Sequence, residues 1–198
     1  MKLEEHAQRI VEDARKTAAT LESFLTENAP LIADLAAETV ARIREGGKVI
    51  VFGNGGSAAD AQHLAAEFVG RFLKERDPLP AIALTTNTSS LTAIGNDYGY
   101  KDIFARQLKA FAGPDDVVIG ISTSGNSPNV VLALEKAREV ECYTVGLTGE
   151  GGGRMEGLCD TLFAVKTPFT PRVQECHISL IHAFCDCVER LWVESLEE

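Results

Sequence analysis

From residue 48 onward the chain repeats a pattern that few folds accommodate: a short run that is apolar throughout, then a longer stretch with helical spacing. The runs are 48–52 (Lys-Val-Ile-Val-Phe), 81–84, 117–121, 143–147 and 162–165. A strand with one wet face alternates apolar and polar residues, whereas a strand covered on both faces has no need to. Helical stretches at 57–72, 89–94, 103–111, 128–140 and 171–194 separate or follow these runs. The alternation predicts an α/β protein, a three-layer αβα sandwich around a five-stranded parallel sheet.

The segment before residue 48 does not belong to that alternation. Leu3, Ala7, Ile10, Ala14, Thr17, Leu21 and Phe24 recur at steps of four and three and form one helical stripe. Pro30 is expected to interrupt this helix, and a second helix over 31–44 to stop at Gly46-Gly47. Two helices ahead of the first strand cannot both be sheet crossovers. Residues 1–45 are therefore read as an N-terminal helical arm whose stripe packs either on another subunit or on its own domain. Residues 46–198 form the sheet domain, and 198 residues suit a single structural domain overall.

Charge limits the partners. With 19 Lys+Arg against 29 Asp+Glu the net charge is -10, which argues against a nucleic-acid or anionic-membrane partner. No stretch reaches the ~18–20 apolar residues of a membrane span, and the first residues lack signal-peptide character. Five cysteines without a C-x-x-C pair read as free thiols in a reducing, cytoplasmic setting. An anionic ligand would have to be held by local dipoles and a few placed groups.

Two strand-to-helix loops suit that task. Gly53-Asn54-Gly55-Gly56-Ser57 lets backbone approach a ligand, and Ser57 with Asp60 has the spacing of a helix cap. The next helix aims its unpaired N–H groups and positive dipole end at the loop. The second loop, 122–128, offers Ser122, Thr123, Ser124 and Ser127, with Ser127 as N-cap and Pro128 as first helical residue. Either loop alone is a capped turn; two of them beyond parallel strands read as a phosphate site. Gly53, Gly55 and Ala58 also match a dinucleotide fingerprint, but the second strand ends Leu84-Thr85-Thr86-Asn87, without the ribose-binding acid. No Lys follows Gly56, so there is no Walker A motif.

His63 and Glu67, four apart, share a helix face and read as either an acid–base pair or a surface pair. The last helix supplies Gln174, Glu175, His177 and His182. Gln174 and His182 are about 80° apart around a helix, whereas His177 is about 140° from His182. His182, in Leu180-Ile181-His182-Ala183-Phe184, could equally be a satisfied core histidine. A carboxylate and an imidazole beside a sugar phosphate suit proton abstraction next to a carbonyl. His63, Glu67, Gln174 and His182 could instead hold a metal, with glutamine a poor fourth ligand. Arg71 and Arg172 are each a cation near the phosphate or a surface charge.

The run from Val51 to Phe68, with Gly95-Asn96-Asp97-Tyr98, Ser122 to Ser127, and Arg172-Val-Gln-Glu-Cys-His177 followed by His182, resembles the sugar isomerase (SIS) domain of the phosphoheptose isomerases. That resemblance covers nearly the whole chain. It implies conversion of sedoheptulose 7-phosphate to D-glycero-D-manno-heptose 7-phosphate through an enediol, the first step toward activated heptose for lipopolysaccharide or other surface glycans. Glu67 and His182 would move the protons. Phosphate would lie on Ser57, Ser122, Thr123, Ser124 and Ser127, and the sugar among Asn54, Gly55, Gly56, Glu67, Asn96, Asp97 and Gln174. The resemblance further implies one zinc ion per subunit at His63, Glu67, Gln174 and His182, and a homotetramer with sites near subunit boundaries. Because metal coordination lowers a carboxylate's basicity, Glu67 is expected to be the base and zinc to be structural, regulatory or dispensable. The alternative is a non-catalytic SIS protein that binds the replication initiator DnaA; the complete acid–base set favours the enzyme. A sugar-phosphate-sensing regulator would carry a DNA-binding segment for which this length leaves no room.

Overall fold

In the computed structural model, residues 2–195 are described; Met1 and 196–198, the outer ends of the two expected segments, lie outside them. Five strands, β1 (Val49–Gly53), β2 (Ala81–Ala83), β3 (Val117–Ser122), β4 (Tyr143–Thr148) and β5 (Thr161–Ala164), form one parallel sheet in the order β2-β1-β3-β4-β5. Side chains alternate between two apolar layers. Val49, Val51, Val117, Ile119 and Ile121 enter one core with α1 (Lys2–Arg44), α2 (Gly56–Val69) and α6 (Thr170–Glu194). Ile50, Phe52 and Val118 enter the other with α4 (Ala105–Phe111) and α5 (Pro128–Glu139); α3 (Thr88–Asp97) packs at its margin. Both faces are covered, which is why the strands read as unbroken apolar runs.

The strand order reverses direction between β1 and β3. In open α/β sheets the crevice at such a switch point, beyond the carboxyl ends of the strands, is where ligands bind. Here the two glycine- and serine-rich loops leave β1 and β3 side by side, with Gly53 in register with Ile121.

The expected break at Pro30 is not there: α1 runs unbroken for 43 residues with Pro30 inside it. An interior proline forfeits one helical hydrogen bond and costs about 3 kcal/mol. Pro30 and Thr26, the residue whose carbonyl loses its donor, both face solvent, where water can replace the bond. Phe24, Ile32, Leu35, Ala36 and Val40 are buried on either side of it. At about 1.5–3 kcal/mol per large apolar side chain, that packing outweighs the proline. The stripe divides along its length. From Phe24 onward it is in the core, largely against α6, whereas Leu3 is 85% and Ile10 70% exposed.

All five cysteines are free thiols. Burial pushes Cys142 and Cys176 up to about 11, so these remain protonated rather than nucleophilic. Among the described residues, no helix is long and apolar enough to cross a membrane.

Candidate active site

The first loop turns on Gly55, whose φ of 57° favours glycine and which occupies the N-cap of α2. This corrects the expected Ser57–Asp60 cap. Ser57 is already helical and buried, its N–H bonded to the Asn54 carbonyl at 3.0 Å, and the cap makes no side-chain bond. Gly56 leaves room for a close approach: a Cβ there would sit 2.7 Å from Gln174 Nε2 and push that side chain aside. Gln174, on the first turns of α6, therefore reaches the loop directly.

In the second loop Ser127 is the N-cap and Pro128 opens α5, as read from the sequence. The Ser127 hydroxyl does not cap; it lies 2.9 Å from Ser122 Oγ, which is also 3.4 Å from Ser124 Oγ. The Ser127 N–H points at Ser122 Oγ as well, at 3.4 Å. Three hydroxyls thus converge at the positive end of α5, ready to turn toward an anion. Thr123 is half-buried beside them, its carbonyl accepting the Gly149 N–H at 3.0 Å. Asn54 joins the two loops: its amide exchanges hydrogen bonds with Asn129, both at 2.9 Å, and its Oδ1 accepts the Tyr100 hydroxyl at 3.2 Å. Asn129, which is buried, had no distinguishing mark in the sequence, because its partner lies 75 positions away.

The acid–base candidates meet where α2 faces α6. His63 Nε2 lies 3.0 Å from His182 Nε2 and 3.3 Å from Glu67 Oε1, so one imidazole bridges the other two groups. His182 is exposed rather than core, and the Phe72 ring packs on it at 5.9 Å. Asp60 is one turn before His63 on the same helix. Burial raises its carboxyl above the ordinary value against the pull of His63 and His182. A cavity of about 410 Å³, lined by Gly56, Ala59, Asp60, Pro171, Gln174, Glu175 and Ile178, opens between the first loop and α6.

His177 stands apart. It is fully buried, with Nε2 3.0 Å from the Thr148 carbonyl, and burial pushes it down to about 4. Asn96 and Asp97 are exposed at the end of α3 and bond to each other at 2.8 Å, not to the serines or histidines. Arg172 turns from the loops to Asp13 of α1 at 2.9 Å, and Arg71 pairs with Glu75 at 3.7 Å.

Two imidazole nitrogens and a carboxylate oxygen are zinc-type donors. Their arrangement is a chain with His63 in the middle rather than a ring around a hole, and among the described residues no three His, Cys, Asp or Glu side chains form a ready-made cage. The residues fit zinc by donor chemistry.

A doubly covered parallel sheet with serine-rich loops at its switch point defines a class, and comparison with known proteins gives it a name. Residues 14–149 match the SIS domain family. The phosphoheptose isomerase of Nitratidesulfovibrio vulgaris is 51% identical over 96% of this chain and 91% of its own length, and that of Pelobacter propionicus 54% over 91% and 96%. The solved phosphoheptose isomerase of Neisseria gonorrhoeae is 42% identical and superposes with a TM-score of 0.85 over 95% of this chain and 99% of its own. The chain belongs to the SIS domain family and, within it, to the phosphoheptose isomerases, a family of sugar-phosphate isomerases.

Proposed function

We propose that the protein interconverts sedoheptulose 7-phosphate and D-glycero-D-manno-heptose 7-phosphate through an enediol. The observation that carries this reading is the His63 bridge, which brings Glu67 and His182 together where α2 faces α6, the two helices whose first turns bring Gly56 and Gln174 together at the first loop.

The Ser57, Ser122, Thr123, Ser124 and Ser127 hydroxyls and the N-terminus of α5 hold the phosphate. Asn54, Gly55, Gly56, Gln174, Asn96 and Asp97 surround the sugar. Glu67 removes a proton from C1 while His182 protonates the C2 carbonyl oxygen, giving the enediol. His182 then takes the O1 proton, and the Glu67 carboxyl, partly exposed and so open to exchange with solvent, delivers a proton to C2. No electron is gained or lost overall. General acid–base groups of this kind contribute about 10²–10⁴ each in rate.

His63, Glu67 and His182, with Gln174 as a weaker fourth, would hold zinc, which when bound supplies Lewis acidity at a sugar oxygen or braces the site. The exposed faces of Leu3, Ile10 and Val11 on α1 support a homotetramer in which other subunits cover them. Five free thiols support a cytoplasmic location.

The test is an isomerase assay on sedoheptulose 7-phosphate, with and without chelator, beside Glu67→Gln. Aldose formation that Glu67→Gln slows by about 10²–10⁴ and chelator leaves intact is the expected result. Turnover lost on metal removal and regained with zinc overturns the assignment of the metal as dispensable. The absence of aldose under every condition overturns the enzyme and leaves a ligand-holding scaffold.

A further inference from the structure

We infer that Arg76 and Glu189 form a positioning clamp that sets where Glu67 stands relative to His182, an inference that rests on the reading of Glu67 as the base. α2 ends at Val69, and its last carbonyls have no helical donors. From outside, Arg76 Nη2 donates to the carbonyl of Glu67 itself at 2.8 Å, and Nη1 to that of Phe68 at 2.9 Å, which also accepts the Leu79 N–H at 3.0 Å. Its Nε donates to Glu189 at 3.1 Å. The Glu189 carboxylate also accepts the backbone N–H groups of Phe72, Leu73 and Lys74 at 2.9, 2.7 and 2.6 Å. Burial pushes Glu189 up, yet these N–H groups and Arg76 outweigh it and the carboxyl lies below its ordinary value.

Both side chains are 2% exposed. Apolar replacements of similar volume are often as stable as a buried ion pair, so stability alone is a weak reason for such a pair. What an apolar pair could not do is fix six backbone groups at once, the sixth being the Asp77 carbonyl, which accepts from Arg76 Nη1 at 3.0 Å. Glu189 follows His182 by seven residues on α6, about 20° around the helix, so the two lie along one stripe. The links close a ring: Glu67 carbonyl, Arg76, Glu189, α6, His182, His63 and back to α2. The Phe72 N–H bond to Glu189 also seats the Phe72 ring against His182. Freeing the clamp lets the end of α2 and Phe72 drift, and a displacement of about 1 Å at a reacting group is enough to lower a rate up to 10²-fold.

The test uses the full chain with Arg76→Lys, which keeps the charge and loses the fork, and Glu189→Gln, which is isosteric. Both are assayed with sedoheptulose 7-phosphate at a temperature where circular dichroism shows them folded. Each is expected to lower kcat about 10-fold or more with KM within about 2-fold, the signature of a transition-state interaction. In the Glu67→Gln background, Arg76→Lys is expected to cost less than about 2-fold, because there is no longer a base to place. Wild-type kcat in either folded variant, or equal losses with and without Glu67, overturns the clamp. So does failure of both variants to fold, which assigns the pair to stability alone. Glu67→Gln with wild-type activity overturns the underlying reading instead, so the two failures are separable.

Discussion

The serine loops and the α2–α6 face are neighbours built on opposite principles. The loops are local: a strand end, a glycine turn, a helix N-terminus and several hydroxyls that share one job, so each part is partly replaceable. The α2–α6 face depends on single atoms from residues 119 positions apart, His63 and His182, held by two helices and one buried ion pair. On the proposed reading binding is distributed and chemistry concentrated, and substitutions should separate the two.

The largest effect is expected on the concentrated side. Glu67→Gln and His182→Ala should each lower kcat by about 10²–10⁴ with little change in KM, measured by steady-state kinetics. Comparable losses from single serine changes would erase the contrast.

His177 tests how α6 is tied to the sheet. Its folded pKa is depressed to about 4 from 6.5, so between those values the unfolded chain binds the extra proton. This contribution is present above pH 6.5 and lost as pH falls toward 4, about 3 kcal/mol in all. Urea unfolding across that range should show a steeper acid loss for the wild type than for His177→Gln. Matching curves would mean that His177 is not held neutral.

Gly56→Ala probes the seam between the two regions, because the new Cβ would meet Gln174 Nε2 at 2.7 Å. Displacing Gln174 should reduce kcat/KM about 10-fold, with unfolding little altered. The smallest effect is expected in the loops: Ser122→Ala or Ser127→Ala should raise KM about 3–10-fold and leave kcat within about 2-fold, since one hydrogen bond among several is worth about 1 kcal/mol.

The same contrast governs how much the sequence could disclose. The sheet was legible because burial on both faces forces apolar runs, and the loops were legible because glycines and hydroxyls sit together in the chain. Ser57 and Asp60 had cap spacing, but the positive φ at Gly55 placed the cap two residues earlier and put Ser57 inside. Pro30 misled because local propensity says nothing of the packing on either side of it. His63 and Glu67 were paired by helical spacing, whereas their convergence with His182 could be posed only as one option. Arg76, Glu189 and Asn129 carried no signal at all: a buried ion pair 113 positions apart and an amide pair 75 apart exist only once the chain is folded.

Running the isomerisation in deuterium oxide tests the central claim most directly, that Glu67 and His182 serve one carbon pair. Proton transfer through an enediol predicts deuterium at C2 of the aldose made by the wild type, and none above background with Glu67→Gln. Wild-type turnover giving an aldose with no deuterium at C2 would contradict the account, because a proton held on the partly exposed Glu67 carboxyl exchanges with solvent, whereas a hydride passed directly between the carbons does not.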